Sequence, residues 1–72
     1  MMTGAIRDLD PRGFGFIASD DGTPRFFAAQ ELRGGATFER LTIGQRVTFK
    51  PARHPRRGPK ALNIYLEQAV AA

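Results

Sequence analysis

Apolar and polar residues alternate along this chain in short runs, with the two-residue period of strands rather than the 3.6-residue period of helices. Thr3 to Leu9 alternates loosely, with Ala5, Arg7 and Leu9 on one side and Ile6 and Asp8 on the other. Gly13 to Ser19 is a second run, rich in phenylalanine and isoleucine, which suit a half-buried pleated surface. Arg25 to Ala29 is a third. Gln45 to Ala52 alternates cleanly, Val47 and Phe49 facing one way and Arg46, Thr48 and Lys50 the other. Lys60 to Glu67 predicts a last strand, with Leu62, Ile64 and Leu66 on one face and Ala61, Asn63 and Tyr65 on the opposite one.

Turn residues separate these runs. Asp10-Pro11-Arg12-Gly13 is a turn sequence, and Asp20-Asp21-Gly22-Thr23-Pro24 carries an Asp-Gly hairpin signal. Gln30 to Arg33 predicts a single helical turn, Gly34 to Gly44 a long irregular connection, and His54 to Pro59 a loop. Five short strands without a sustained helix predict an all-β fold, a five-stranded antiparallel OB-type barrel. A flat sheet of these strands would leave long edges exposed and bury little, whereas closure pairs them. The expected organisation is one domain over residues 1–72, its core at about 3–67 and a frayed tail at 68–72.

Composition narrows the chemistry. With no cysteine and one histidine among 72 residues, neither a disulfide nor a zinc centre is available, so no metal or cofactor is expected. No apolar run reaches signal-peptide or membrane-span length, which predicts a cytoplasmic protein with no membrane partner. The net charge of +4 is unevenly placed. Up to residue 49, six arginines (Arg7, Arg12, Arg25, Arg33, Arg40, Arg46) face six carboxylates (Asp8, Asp10, Asp20, Asp21, Glu31, Glu39). From residue 50 on, Lys50, Arg53, Arg56, Arg57 and Lys60 face Glu67 alone. A basic segment this concentrated suits a polyanion, although a solvated loop would also carry it.

The aromatic residues make that partner more specific. In a strand, Phe14 and Phe16 share one face while Gly13, Gly15 and Ile17 share the other. Two rings with only glycine and one isoleucine behind them form a platform on which bases stack. Phe26 and Phe27 are adjacent and must point oppositely, Phe27 into the core and Phe26 beside Phe14 and Phe16. Stacking on an aromatic ring is worth about 1–3 kcal/mol per base and tolerates any base. The pattern therefore predicts binding of single-stranded RNA or DNA with little sequence preference, with phosphate contacts from Arg12, Arg56, Arg57 and Lys60.

No catalytic constellation accompanies it. The Gly13–Ala18 run matches the loose dinucleotide-binding pattern but lacks the preceding strand and following helix which that site requires. Asp20 and Asp21 fall in a tight turn, where aspartate serves the backbone. His54 lacks a second ligand or nucleophile and reads as a solvated loop residue, and Tyr65 as a packing or edge residue. No enzyme and no small-molecule substrate are expected.

Arg12-Gly13-Phe14-Gly15-Phe16-Ile17 resembles the first ribonucleoprotein motif, and Arg25-Phe26-Phe27-Ala28 stands in the place of the second. Beginning at residue 12, the first motif leaves no room for the elements that precede it in the RNA-recognition motif fold, and the order of the two motifs is reversed. Both facts fit the cold-shock domain family. The resemblance continues through Thr3-Gly4, Leu41, Gly44 to Phe49 and Arg57 to Ile64, so it covers Thr3 to about Ile64. It implies nucleic-acid contacts from Arg7, Phe14, Phe16, Phe26, Phe38 and the basic loop near Arg57, and a role as an RNA chaperone or cold-shock-like regulator of transcript structure. It leaves open a monomer or a weak dimer. The chain departs from the family where a first-strand tryptophan is usual and Asp8 stands, and where a histidine and an aromatic are replaced by Ala28 and Ala29; the first-strand segment is also one residue shorter, with Pro11 in it. Three missing stacking groups at ~1 kcal/mol each weaken binding on the order of 100-fold. These departures also define the alternative, an OB-fold protein-interaction module with weakened or lost nucleic-acid binding.

Overall fold

The computed structural model describes residues 1–67; the tail expected to fray, 68–72, lies outside the described residues. Five strands, β1 (Met2–Asp10), β2 (Phe14–Ser19), β3 (Pro24–Ala28), β4 (Arg46–His54) and β5 (Gly58–Leu66), close into a barrel in the order β1-β2-β3-β5-β4. The all-β OB-type barrel is therefore the observed architecture, with one correction. β3 and β5 run parallel where they meet, at Phe26 and Lys60, while the other four neighbouring pairs are antiparallel. An odd number of strands cannot alternate direction all the way round a closed ring, so one pair has to be parallel.

The turns form where the sequence has the residues for them. The Asp10 carbonyl accepts the Gly13 N–H at 3.0 Å, and its carboxylate accepts the Arg12 N–H at 2.9 Å. Gly13 sits at φ +96°, in the left-handed region that costs glycine least. Asp21 Oδ1 accepts the Thr23 N–H at 2.9 Å in the β2–β3 hairpin. The helical turn expected at Gln30–Arg33 is a 3-10 turn at Ala29–Glu31, and a second occupies Phe38–Arg40 in the long connection. The expected loop at 54–59 contracts to a turn at 55–57, because β4 runs on to His54 and β5 begins at Gly58.

Two β-bulges break the alternation read from the sequence. In β1 the register shifts between Ile6 and Asp8, leaving Arg7 as the extra residue. Ile6 is buried and Leu9 packs against the core, so both face inward, and Asp8 moves to the outer face with Ala5. In β5 the shift falls between Tyr65 and Leu62, with Asn63 at φ +49°, which brings Ala61 and Ile64 together into the core. Bulges bend and twist a strand locally, which a barrel this small needs in order to close. The core comprises Ile6, Ile17, Phe27, Leu41, Val47, Phe49, Ala61 and Ile64.

The seam between β3 and β5 is narrow, and Arg25 reinforces it. Its side chain is only 12% exposed. Its guanidinium donates to Ser19 Oγ at 3.1 Å and to the carbonyl oxygens of Ala52 at 3.2 Å and Lys60 at 3.4 Å, linking β2 and β3 to both β4 and β5.

Candidate nucleic-acid interface

β2 carries Phe14 and Phe16 outward because Gly15 and Ile17 face in. Gly15 is required there: a Cβ on it would overlap the Asp8 carbonyl oxygen and meet Phe27 Cε1 at 2.9 Å. The backbones of β1 and β2 thus approach over a glycine, and the two rings stand on that close-packed base. β3 pairs so that Phe26 lies opposite Phe16 and Ala28 opposite Phe14. The three rings touch, with centroids 5.7 Å apart for Phe14–Phe26 and 6.0 Å for Phe16–Phe26. Phe27, facing the other way, is buried.

Arginines stack over two of these rings. The Arg12 guanidinium lies 5.1 Å from the Phe14 centroid and that of Arg57 lies 5.7 Å from Phe26. Both are cation–π contacts, which strengthen as water is excluded. Asp10 fixes Arg12 over its ring by accepting two guanidinium hydrogen bonds, at 3.0 and 3.1 Å. Those bonds hold the Asp10 carboxyl below its usual range. Phe16, 39% exposed, has no such arginine among the described residues.

The ion pairs sharpen the charge division seen in the sequence. Arg7, Arg12, Arg25, Arg33 and Arg46 each lie within 4.0 Å of a carboxylate. Among the described residues no ion pair involves Lys50, Arg53, Arg56, Arg57 or Lys60, nor Arg40. The free positive charge is therefore concentrated in and around the β4–β5 hairpin. Arg56, Arg57 and Lys60 line a cavity of about 430 Å³ beside Phe26, together with Ala28, Gln30 and Glu31, whose carboxylate pairs with Arg33 at 3.8 Å.

Phe14, Phe16, Phe26, Arg12, Arg57 and Lys60 thus come together on one outer face, with Arg56 on the cavity beside it. Arg7 is on the β1 bulge, 3.7 Å from Asp8. Phe38 is not in this group; half-buried, it packs on the core through Phe27, centroids 6.3 Å apart. Two features were not legible in the sequence. His54, expected as a solvated loop residue, is half-buried and its Nδ1 accepts the N–H groups of both Arg56 and Arg57 at 3.1 Å, shaping the turn that carries them. The β1 bulge places Asp8 opposite Phe16 and Asp10 opposite Phe14, giving the aromatic strip an acidic border. The spacing of three between Ile6 and Leu9 was the one available sign of that bulge.

A small closed barrel with contacting aromatic rings on its outer face and unpaired cations at their edge has the construction of a nucleic-acid-binding barrel. The family model described as 'Cold-shock' DNA-binding domain matches residues 2–67, and the chain belongs to that family. It is 42% identical over 65 residues to the cold shock protein ScoF of Streptomyces coelicolor, an alignment covering 89% of this chain and 96% of that protein. It is 36% identical over 56 residues to the cold shock-like protein CspC of Buchnera aphidicola, covering 78% and 80% respectively.

Proposed function

We propose that this cold-shock domain binds single-stranded RNA or DNA across the Phe14–Phe16–Phe26 strip, with Arg56, Arg57 and Lys60 holding phosphates along one edge. The observation that carries this reading is the contact among three outward-facing rings beside cations that, among the described residues, form no ion pair. Arg12 and Arg57 widen the platform, since a guanidinium plane stacks on a base as well as on a ring. Arg7, on the β1 bulge next to Asp8, adds a further cation beside the strip. The activity is thermodynamic, without covalent chemistry. A strand held on the rings is withdrawn from base pairing, so hairpins open by mass action. That is the action of an RNA chaperone on transcripts in the cytoplasm.

The test is a double substitution, Phe14→Ala with Phe16→Ala. Neither ring belongs to the buried core, so the thermal transition survives. Affinity for a labelled oligo-dT falls at least ~30-fold, the loss of two stacked bases. Wild-type protein that binds no oligonucleotide at low salt would instead leave the barrel as a protein-interaction module.

A further inference from the structure

One row of side chains runs straight across four strands. Asp8 pairs with Phe16, Phe16 with Phe26, and Phe26 with Lys60. At ~4.8 Å between strands, the backbone positions that carry the carboxylate and the ammonium are separated by roughly 14 Å along the sheet, with two aromatic residues between them. This row is electrically polarised along its length. Arg57, stacked on Phe26, adds to the positive end.

On the binding reading above, which this inference takes as its basis, a nucleotide on the row has only one favourable orientation. Its phosphate goes to Lys60 and Arg57, its base lies over the rings, and the far edge of the base meets Asp8. Asp8 is free to make that contact. Its side chain is 66% exposed, and its one ionic neighbour, Arg7 at 3.7 Å, is beyond hydrogen-bond distance. Asp10, in the next row, is not free, because Arg12 occupies both of its oxygens.

An ionised carboxylate only accepts hydrogen bonds. Guanine presents two parallel donors on its pairing edge, the ring N–H and the amino group, which match the two carboxylate oxygens. Thymine and uracil present one donor between two carbonyl oxygens, and those oxygens repel a carboxylate. Cytosine and adenine offer an amino donor beside an unprotonated ring nitrogen, and fall between. We infer that Asp8 is a base-selecting residue that makes the Phe16 position prefer guanine over thymine or uracil.

The measurement is fluorescence anisotropy with two labelled heptamers, one all thymine and one with a single central guanine, which is too guanine-poor to fold on itself. Wild type binds the guanine heptamer about tenfold more tightly, the lower part of the range for a bidentate base contact. Replacing that guanine by inosine, which keeps the ring N–H and lacks the amino group, lowers the preference. Asp8→Asn removes the charge at an exposed position and raises affinity for the all-thymine heptamer, so the ratio falls towards one. Equal or tighter wild-type binding of the all-thymine heptamer overturns the inference, as does a preference that persists in Asp8→Asn. Absence of binding to both heptamers would overturn the nucleic-acid reading itself, a result distinct from binding without preference.

Discussion

The steepness with which salt weakens binding is set by how many cations the barrel can offer to phosphate, and the ion pairs supply that number. Arg12 stacks on Phe14 with its guanidinium hydrogen-bonded to Asp10, and Arg7, on the β1 bulge, has Asp8 at 3.7 Å. Among the described residues, the cations beside the rings that form no ion pair are Arg56, Arg57 and Lys60; Glu31, which lines the same cavity, pairs with Arg33. Neutralising three phosphates on a single strand gives a log–log slope of roughly −2, at about −0.7 per phosphate. Raising salt from ~50 to ~200 mM, a fourfold change, then weakens binding about 20-fold. Stacking alone predicts almost no change over that range. An anisotropy titration of labelled oligo-dT at several salt concentrations gives the slope directly. Arg56→Gln, which removes a cation that among the described residues neither pairs with a carboxylate nor stacks on a ring, should make the slope shallower by about 0.7. A flat salt response in the wild type would refute the reasoning, because it would mean that the hairpin cations do not reach the backbone. An Arg56→Gln slope equal to that of wild type would remove Arg56 from the set.

The elements that could be read from the sequence are those in which neighbouring residues decide the outcome. Gly15 between two phenylalanines fixes which way those rings point, because its inner side touches the Asp8 carbonyl and the Phe27 ring. Phe26 and Phe27, being adjacent, had to divide between surface and core, and the burial of Phe27 tells which went where. What the sequence concealed are features that depend on strands far apart along the chain. A bulge is one residue of mismatch between partners, so strict alternation misplaced Arg7, Asp8 and Leu9 in β1 and put Ala61 on the wrong face of β5. The parallel β3–β5 seam follows from closing an odd ring, which no local pattern shows. Arg25 counts in the sequence as one more base, yet its guanidinium is spent on Ser19, Ala52 and Lys60 and does not face a ligand. Asp20 and Asp21 divide similarly. Asp21 serves the backbone of its turn, as that position leads one to expect, whereas Asp20, just past the end of β2, bonds side chains of the neighbouring β1 and of β4 beyond it.

Gly15→Ala tests the close approach beneath the rings: relieving the overlap with Asp8 and Phe27 should cost about 1–3 kcal/mol and lower Tm by roughly 10 °C. A Tm equal to that of wild type in a thermal melt would show that β1 and β2 part without penalty. The second test concerns Asp20, whose carboxylate accepts hydrogen bonds from Arg46 at 3.0 and 2.6 Å and another from the Thr3 hydroxyl. These bonds, Arg46 first and Thr3 second, lower its pKa from 3.8 to about 2. Because the folded value lies below the unfolded one, the bonds stabilise the barrel fully above the unfolded value, and that contribution disappears as pH falls through the window between 3.8 and about 2. Asp20→Asn lacks the titrating group, so the gap in urea midpoint between wild type and variant should be constant near neutrality and close across that acid window. A gap that keeps its full size down to the lower limit would mean that the charge on Asp20 contributes nothing, and that the link between β4 and the β2–β3 turn rests on a hydrogen-bond geometry that the asparagine, with one acceptor oxygen fewer, lacks.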